Sequence, residues 1–308
     1  MMHLRKFKDI FAGRILFICG LLVLSLAFLI AFGLFLRAAP ILLTKPLGEL
    51  LFSNVWRPAQ GKFGLAGFIV GSIYVTAIAM VIAVPLSILT ALHLSEYANR
   101  KIRGFLKPLV DLLAGISPVI YGVWGVIVIV PLVRDYLIPF SSRFLPFPPF
   151  ISDNYTGFSA LAAGIVLAVM IFPIIISISE EVIRAVPFEM REAALALGAS
   201  KWQTVKYVVL KKSWTGIIAA VILGLSRAFG ETMAVLMVAG CSLHSFPRSV
   251  FDAAYPLPAL IANTYGEMMS IPLYDSAVLL AALVLLIVTT LFNIAGWGIL
   301  FRVKRYEG

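Results

Sequence analysis

Six long apolar stretches alternate with short polar segments along this chain of 308 residues. The hydrocarbon core of a bilayer is about 30 Å thick, so a helix needs about 20 apolar residues to cross it. Each stretch has that length or more, and together they predict an all-α integral membrane protein with six transmembrane helices. The stretches are residues 15–36, 63–94, 109–133, 157–179, 213–240 and 276–301.

Composition supports this prediction. The chain is 61% hydrophobic and only 13% charged, whereas soluble domains average about 25% charged residues. The net charge of +10 does not predict binding to nucleic acid, because the basic residues lie between the apolar stretches and form no separate basic domain. We therefore expect lipid around the chain.

The first apolar stretch has an alternative interpretation as a signal peptide, since Arg5, Lys6 and Lys8 precede it and the sequence RAAP follows. The apolar region of a signal peptide is only about 7–15 residues long. We favour a retained helix, with residues 1–62 forming an N-terminal segment and residues 63–301 a core of five helices.

Lys and Arg residues are distributed unevenly between the two sets of connections. Seventeen lie in the N-terminal segment, the second and fourth connections and the C-terminus, and seven lie in the remaining connections. Cytoplasmic connections carry an excess of basic residues. The sequence therefore predicts a multi-pass protein with both termini and the loop 180–212 in the cytoplasm. The external connections contain many prolines and aromatic residues, and they are either ordinary surface loops or a docking face.

The loop 180–212 has the signals of two short helices joined by a tight turn. Pro187 suits a helix start, and Gly198 suits a helix end. Ser200 with Gln203 fits a capping box that opens a second helix. The predicted helices are 187–197 and 201–211.

The first of these helices has small and acidic residues where a lipid-surface helix would have bulky apolar residues and lysines. Glu189 and Glu192 lie near its positive N-terminal end, and Ala193 and Ala194 would let it sit deep in a groove. We predict that it docks on a protein, although an interfacial helix on the lipid is the common alternative.

Two charges, Arg227 and Glu231, interrupt the fifth apolar stretch. Arg227 follows Ser213 by 14 residues, or about 21 Å of helix, which places it near the middle of the bilayer. Glu231 would lie on the same helical face one turn further on. The pair is either a structural salt bridge or part of an anion path, in which the guanidinium matches phosphate oxygens and Glu231 holds it in place.

The sequence shows no catalytic residues and no metal site, because its few histidines and cysteines are scattered. It also has no Gly-x-x-x-x-Gly-Lys-Ser/Thr loop, so we expect neither an enzyme nor an ATPase.

The loop resembles the EAA loop of ABC-importer permeases in the sequence Glu192-Ala193-Ala194, then Gly198, then Val208-Val209-Leu210. Lys211 stands where this family usually has proline. The resemblance implies a coupling helix that sits in a cleft of a cytoplasmic ATPase. The residues that it assigns to coupling are Pro187, Glu189, Glu192, Ala193, Ala194, Gly198 and Ala199.

The sequence SRAFGETMAV (226–235) resembles the permeases of phosphate ABC importers, of the PstC type. The segment LLAGISPVIYGVWG (112–125) is also similar, although Ser117 and Pro118 are inverted. The resemblance implies a type I ABC importer permease (MetI-like) that imports phosphate across the bacterial cytoplasmic (inner) membrane. Arg227 and Glu231 would lie on its substrate path.

Several partners follow from this resemblance. They are a second permease of the PstA type, an ATPase dimer of the PstB type that holds ATP and Mg, and an external phosphate-binding protein of the PstS type. This chain would then hold no cofactor. The alternatives are a permease for molybdate or tungstate, a secondary anion transporter that works alone, and an intramembrane enzyme.

Overall fold

The computed structural model describes residues 2–144, 147–150, 154–243, 246–267 and 270–306. Within these ranges the chain is almost entirely helical. Six helices are long and apolar enough to cross a membrane, as the sequence predicted. A two-stranded antiparallel hairpin, β1 (Trp56–Arg57) and β2 (Lys62–Phe63), pairs Trp56 with Phe63.

The helices follow in chain order, and three of them contain wide π-helical turns without a break. Short helices lie between the long ones. They are α1 (Met2–Thr44), α2 (Leu47–Phe52), α3 (Ala66–Tyr97), α4 (Arg100–Ala114), α5 (Pro118–Phe144), α6 (Ala160–Arg184), α7 (Phe188–Ala196), α8 (Lys201–Phe229), α9 (Met233–Val238), α10 (Leu257–Thr264) and α11 (Tyr274–Tyr306).

Helix α6 lies at the centre of the bundle. Ser159 caps its N-terminus, where the hydroxyl accepts a hydrogen bond from the amide of Ala162 at 3.2 Å. Glycines bring the neighbouring helices close to it: a Cβ on Gly224 of α8 would lie 2.7 Å from Ile175 of α6. Such small residues allow the close helix packing that is common in membranes.

A cluster of buried hydrophobic side chains joins α1 to α11 near the hairpin. Trp56 packs edge-on against Phe63 and Phe68 at centroid distances of 5.7 and 5.5 Å, and Ile41 of α1 is fully buried in the same cluster. No residue in the apolar window of the α1 span is buried by the described part of the chain. Most of the α1 surface is therefore left open to lipid or to a partner subunit.

The third apolar stretch differs from its predicted bounds of 109–133. Residues 100–114 form a separate amphipathic helix, α4, and the spanning helix α5 begins only at Pro118. The reason is local, because the residue before a proline avoids the helical conformation and Ser117 is extended with ψ 138°. Helix α5 then continues to Phe144, well beyond residue 133.

The prediction of one uninterrupted helix over 213–240 was wrong. Helix α8 begins at Lys201 and ends at Phe229, and the short helix α9 starts at Met233. Gly230 ends the first helix and Thr232 precedes the second with φ −114° and ψ −58°. The predicted loop helix 201–211 is therefore not a separate element but the first part of the spanning helix α8.

Candidate functional site

Helix α7 ends in the turn that the sequence predicted at Gly198. The amide of Ala199 donates to the carbonyl of Ala194 at 3.2 Å, and the amide of Gly198 donates to that of Leu195 at 2.9 Å. This pair of bonds is a Schellman motif, which requires a left-handed residue after the helix. Gly198 supplies it with φ +83°.

The next turn begins with the predicted capping box. The hydroxyl of Ser200 accepts from the amide of Gln203, and the Gln203 side chain accepts from the amide of Ser200 at 2.8 Å. The result is a compact helix–turn–helix over 188–204, in which the second helix is the first turn of α8. We call residues 187–200 the coupling segment.

The outward face of the coupling segment carries most of the residues assigned to ATPase coupling. Glu189, Glu192 and Ala193 are exposed, Ala194 is half-buried, and Pro187 directly precedes the helix. Leu197 is 90% exposed at the tip of the turn. An exposed leucine beside small and acidic side chains suits a protein groove, so the geometry is compatible with docking.

Arg191 fixes the inward face of α7 to two spanning helices. Its Nη2 lies 2.8 Å from Oε1 of Glu96 in α3 and donates to the carbonyl of Ile183 in α6 at 2.9 Å. Its Nη1 donates to the carbonyl of Val186. The sequence analysis used Arg191 only to orient the chain and did not find this anchor, since no local spacing relates residues 96 and 191.

A cleft of about 760 Å³ lies beside the coupling segment and shares its residues. Glu96, Arg184, Arg191 and Lys201 contribute charges to its wall, and Lys201 lies 4.6 Å from the ring of Tyr97. We call this end of the bundle, which holds α4, the coupling segment and the start of α8, the basic end.

Arg227 lies exposed in the last turn of α8, two residues before the helix ends. Glu231 lies beyond that end, in the break before α9, and its Oε1 accepts a hydrogen bond from the amide of Ala234 at 3.4 Å. Among the described residues the two side chains form no ion pair. The expected arrangement of one helical face with Glu231 holding Arg227 was therefore wrong, because the helix does not continue between them.

The break at 230–232 lies beside the break at 115–117. A Cβ on Gly122 of α5 would meet Ala234 of α9 at 3.2 Å, and one on Gly125 would meet Val238 at 2.8 Å. These contacts make α5 and α9 parallel neighbours, with the start of α9 beside the first turn of α5. The Tyr121 hydroxyl donates to the carbonyl of Leu113 at 2.8 Å.

A charged cluster near the basic end was also missed. Glu180 of α6 is 2% exposed and lies between Arg103 and Lys107 of α4. Its signal was present in the sequence, since Arg103 and Lys107 are four residues apart and a carboxylate ends the fourth apolar stretch.

The opposite end of the bundle has an open cavity of about 870 Å³ with a polar wall. Asn154, Thr156, Ser242 and Asp252 contribute to it, and the amide of Asn154 donates to the carbonyls of Phe158 and Phe251 at 2.8 and 2.9 Å. These residues come from two of the connections that the sequence analysis considered as a docking face.

Comparison with solved structures identifies the fold. The chain is similar to the methionine ABC transporter MetNI in inward facing conformations, in two crystal forms. The TM-scores are 0.52 and 0.51 at 22% and 20% identity, over 78% and 76% of this chain and 94% and 93% of the transporter chains. The predicted MetI-like architecture is thus confirmed.

Comparison with characterised sequences gives closer relatives. Over 264 residues the chain is 40% identical to "Phosphate transport system permease protein PstC" of Xylella fastidiosa (strain 9a5c), which is 84% of this chain and 81% of the relative. It is 36% identical to a probable PstC permease of Methanocaldococcus jannaschii over 84% of this chain and 82% of the relative. "PstC 1" of Mycobacterium tuberculosis is also 36% identical, over 84% and 78%.

Residues 83–296 match the family described as "Binding-protein-dependent transport system inner membrane component". This range includes α4 to α9 and therefore the coupling segment, Arg227 and Glu231. The chain belongs to this family of inner-membrane permease components.

Proposed function

We propose that this chain is the permease subunit of an ATP-driven phosphate importer and forms half of its translocation path. The observation that carries the proposal is the continuity of α8, which runs from Lys201 beside the coupling segment to Phe229, two residues beyond Arg227. One helix thus joins the surface that would receive an ATPase to the exposed guanidinium that would meet an anion. Phosphate as the substrate is supported by the printed names of the relatives.

The permease is the non-catalytic part of this assembly. The basic end faces the cytoplasm, and an ATPase dimer binds the coupling segment and supplies ATP and Mg. A second, related permease completes the path, and its contact covers part of the apolar surface that this chain leaves exposed. A phosphate-binding protein docks at the opposite end, around the polar cavity.

Arg227 contributes positive potential to the path. A guanidinium remains charged at all relevant pH values, and its planar fork matches phosphate oxygens. Because Glu231 accepts a hydrogen bond from the amide of Ala234 and forms no ion pair with Arg227, the guanidinium is free of that carboxylate.

Uptake of radiolabelled phosphate in a strain that lacks its own permease tests this function. The chain, expressed with its ATPase, second permease and binding protein, should restore uptake that vanadate or ATP depletion abolishes. Unlabelled molybdate, tungstate and sulfate serve as competitors. Uptake that survives ATP depletion with the proton gradient intact would indicate a secondary transporter, and uptake blocked by molybdate at lower concentration than by phosphate would indicate another oxyanion.

A further inference from the structure

Glu180 is a buried carboxylate whose partners come mainly from another helix. Lys107 Nζ donates to its Oε2 at 2.8 Å, and Arg103 Nη2 lies 2.8 Å from its Oε1. Arg184, four residues further along α6, is more distant at 3.7 Å. A buried carboxylate is retained only where cations compensate its lost hydration, and here two of the three cations belong to α4.

These charges contribute to the attachment of α4 to the bundle. The partly buried positions of α4 are Arg103, Leu106, Lys107 and Val110, which share one helical face, whereas Phe105, Leu109 and Leu112 are exposed. One turn beyond Lys107, the hydroxyl of Ser177 in α6 donates to Asp111 at 2.8 Å. Two cations thus lie among the residues through which α4 packs on the protein.

The two cations that α4 contributes stay charged over the physiological pH range. The hydrogen bond to Glu180 raises the pKa of Lys107 above its ordinary value, so the ammonium stays charged. Arg103 is charged at every relevant pH. A change in protonation of these two cations therefore does not release α4.

The C-terminal end of α6, which holds Glu180, contacts the coupling segment. The C-terminal end of α4 contacts the start of α5. On the first side, Ile183 accepts the hydrogen bond from Arg191 at 2.9 Å. On the second side, Tyr121 of α5 donates to Leu113 of α4 at 2.8 Å, and Gly122 of α5 lies against Ala234 of α9, just beyond the break that follows Arg227. A continuous series of contacts therefore joins α7, α6, α4 and α5.

We propose that Glu180 is a positioning residue for transport. By holding α4 to the end of α6, it makes the break at 115–117 follow the coupling segment, so that the start of α5 beside Arg227 is repositioned when the ATPase closes. This role rests on the proposed function. It is independent of α8, the direct connection between the same two sites.

Glu180→Gln tests the proposal, because it keeps the shape of the side chain and removes its charge. The assembled transporter is reconstituted in liposomes, and phosphate uptake is measured per ATP hydrolysed. We expect this ratio to fall about 3- to 30-fold, the range for residues that carry coupling between sites, while ATP hydrolysis continues. A purely structural role would lower the yield and melting temperature of the complex and leave the ratio unchanged.

A distance measurement gives a second readout that needs no phosphate. Spin labels are placed at Phe105→Cys in α4 and Lys212→Cys in α8, both exposed, in a background of Cys19→Ser and Cys241→Ser. The otherwise native pair should give one narrow distance distribution, and Glu180→Gln should broaden it. Because this readout is independent of substrate, a chain that fails to import phosphate still leaves the proposal open to refutation.

Asp135→Asn is the matched control, since Asp135 is a carboxylate in an exposed ion pair with Arg134. It should change neither the ratio nor the distance distribution. If Glu180→Gln does not assemble, Lys107→Gln decides the question: a broadened distribution supports the proposal, and an unchanged one overturns it. A normal uptake ratio with a narrow distribution in an assembled Glu180→Gln complex also overturns it.

Discussion

The guanidinium of Arg191 lies 2.8 Å from the carboxylate of Glu96, and their side chains are only 14% and 10% exposed. The two residues are 95 positions apart in the sequence. Their contact ties the coupling segment to the end of α3, while the other bonds of Arg191 tie it to the end of α6. Any force on α7 is therefore delivered to two spanning helices at once.

Replacing Arg191 by Gln should destabilise α7 more than replacing Glu96 by Gln. The first change leaves a buried carboxylate without its cation and removes bonds to backbone carbonyls, whereas the second leaves those bonds in place. Removing one partner of a buried pair costs up to about 3–5 kcal/mol, and residual exposure places this pair below that range. Hydrogen exchange of the 188–196 amides measures the effect.

Arg134→Gln is the control for this comparison. Arg134 pairs with Asp135, but both are about half exposed, and solvent screening leaves such surface pairs with little effect on stability. It should leave exchange in α7 unchanged. Equal protection of α7 in Arg191→Gln and the native chain would contradict the anchoring role.

Gly198→Val should abolish association with the ATPase while the protein still reaches the membrane. The left-handed backbone at Gly198 costs a residue with a Cβ about 1–2 kcal/mol, and the strain falls on the turn that shapes the docking surface. Gly61→Val is a matched control, because Gly61 also has positive φ (+66°) and open space around it but lies in the hairpin at the opposite end.

Co-purification of the ATPase with each variant measures this effect, with membrane levels checked by immunoblot. The glycine at 198 matters for docking only if its valine variant loses the ATPase and the Gly61 variant keeps it. Glu192→Lys, which reverses a charge on the same surface, should also reduce co-purification.

Arg227→Gln should lower phosphate uptake about 10- to 100-fold at equal membrane abundance. Hydrogen bonds to charged groups contribute about 1.5–3 kcal/mol, and the variant loses both the charge and the fork. Arg57→Gln, in the hairpin, removes the same side chain elsewhere and should leave uptake unchanged. Normal uptake by Arg227→Gln would show that the guanidinium has no role in the path.

Cysteine labelling should place the basic end in the cytoplasm. In intact cells, a membrane-impermeant maleimide should label Ala59→Cys in the hairpin and not Leu197→Cys in the coupling segment, and inverted vesicles should give the opposite result. Both positions are exposed. Burial raises the pKa of the native Cys241 thiol to about 11. This thiol therefore stays protonated at labelling pH and reacts slowly with maleimide.

The number of spanning helices, the turn at Gly198 and the capping box at Ser200 could be predicted from the sequence because each depends on local chemistry. Apolar length, a left-handed glycine and a Ser–Gln pair act within a few residues. The positions of the breaks were missed, since the apolar character of 109–133 and 213–240 hides Pro118 and Gly230, whose effect on the backbone does not depend on hydropathy.

The ion pairs of Glu96 and Glu180 were missed for a different reason. Each joins helices that are distant in the sequence, and the basic partners were already explained by the asymmetry of charge across the membrane. The arrangement of Arg227 and Glu231 was wrong for the local reason, because four-residue spacing places them on one face only if the helix continues through Gly230. Only the tertiary structure separates a residue that orients the chain from one that holds two helices together.

Helix α8 has a mechanical consequence beyond its role as a connection. Its 29 residues from Lys201 to Phe229 span about 43 Å at 1.5 Å per residue. The helix crosses α6 near Gly224, which packs on Ile175, so a rotation of about 5° around this crossing would move Lys201 sideways by about 2–3 Å and Arg227 by less than about 1 Å at the same rise per residue. No backbone torsion has to change. A large movement at the coupling segment is thus reduced to a small and well-defined one at the site.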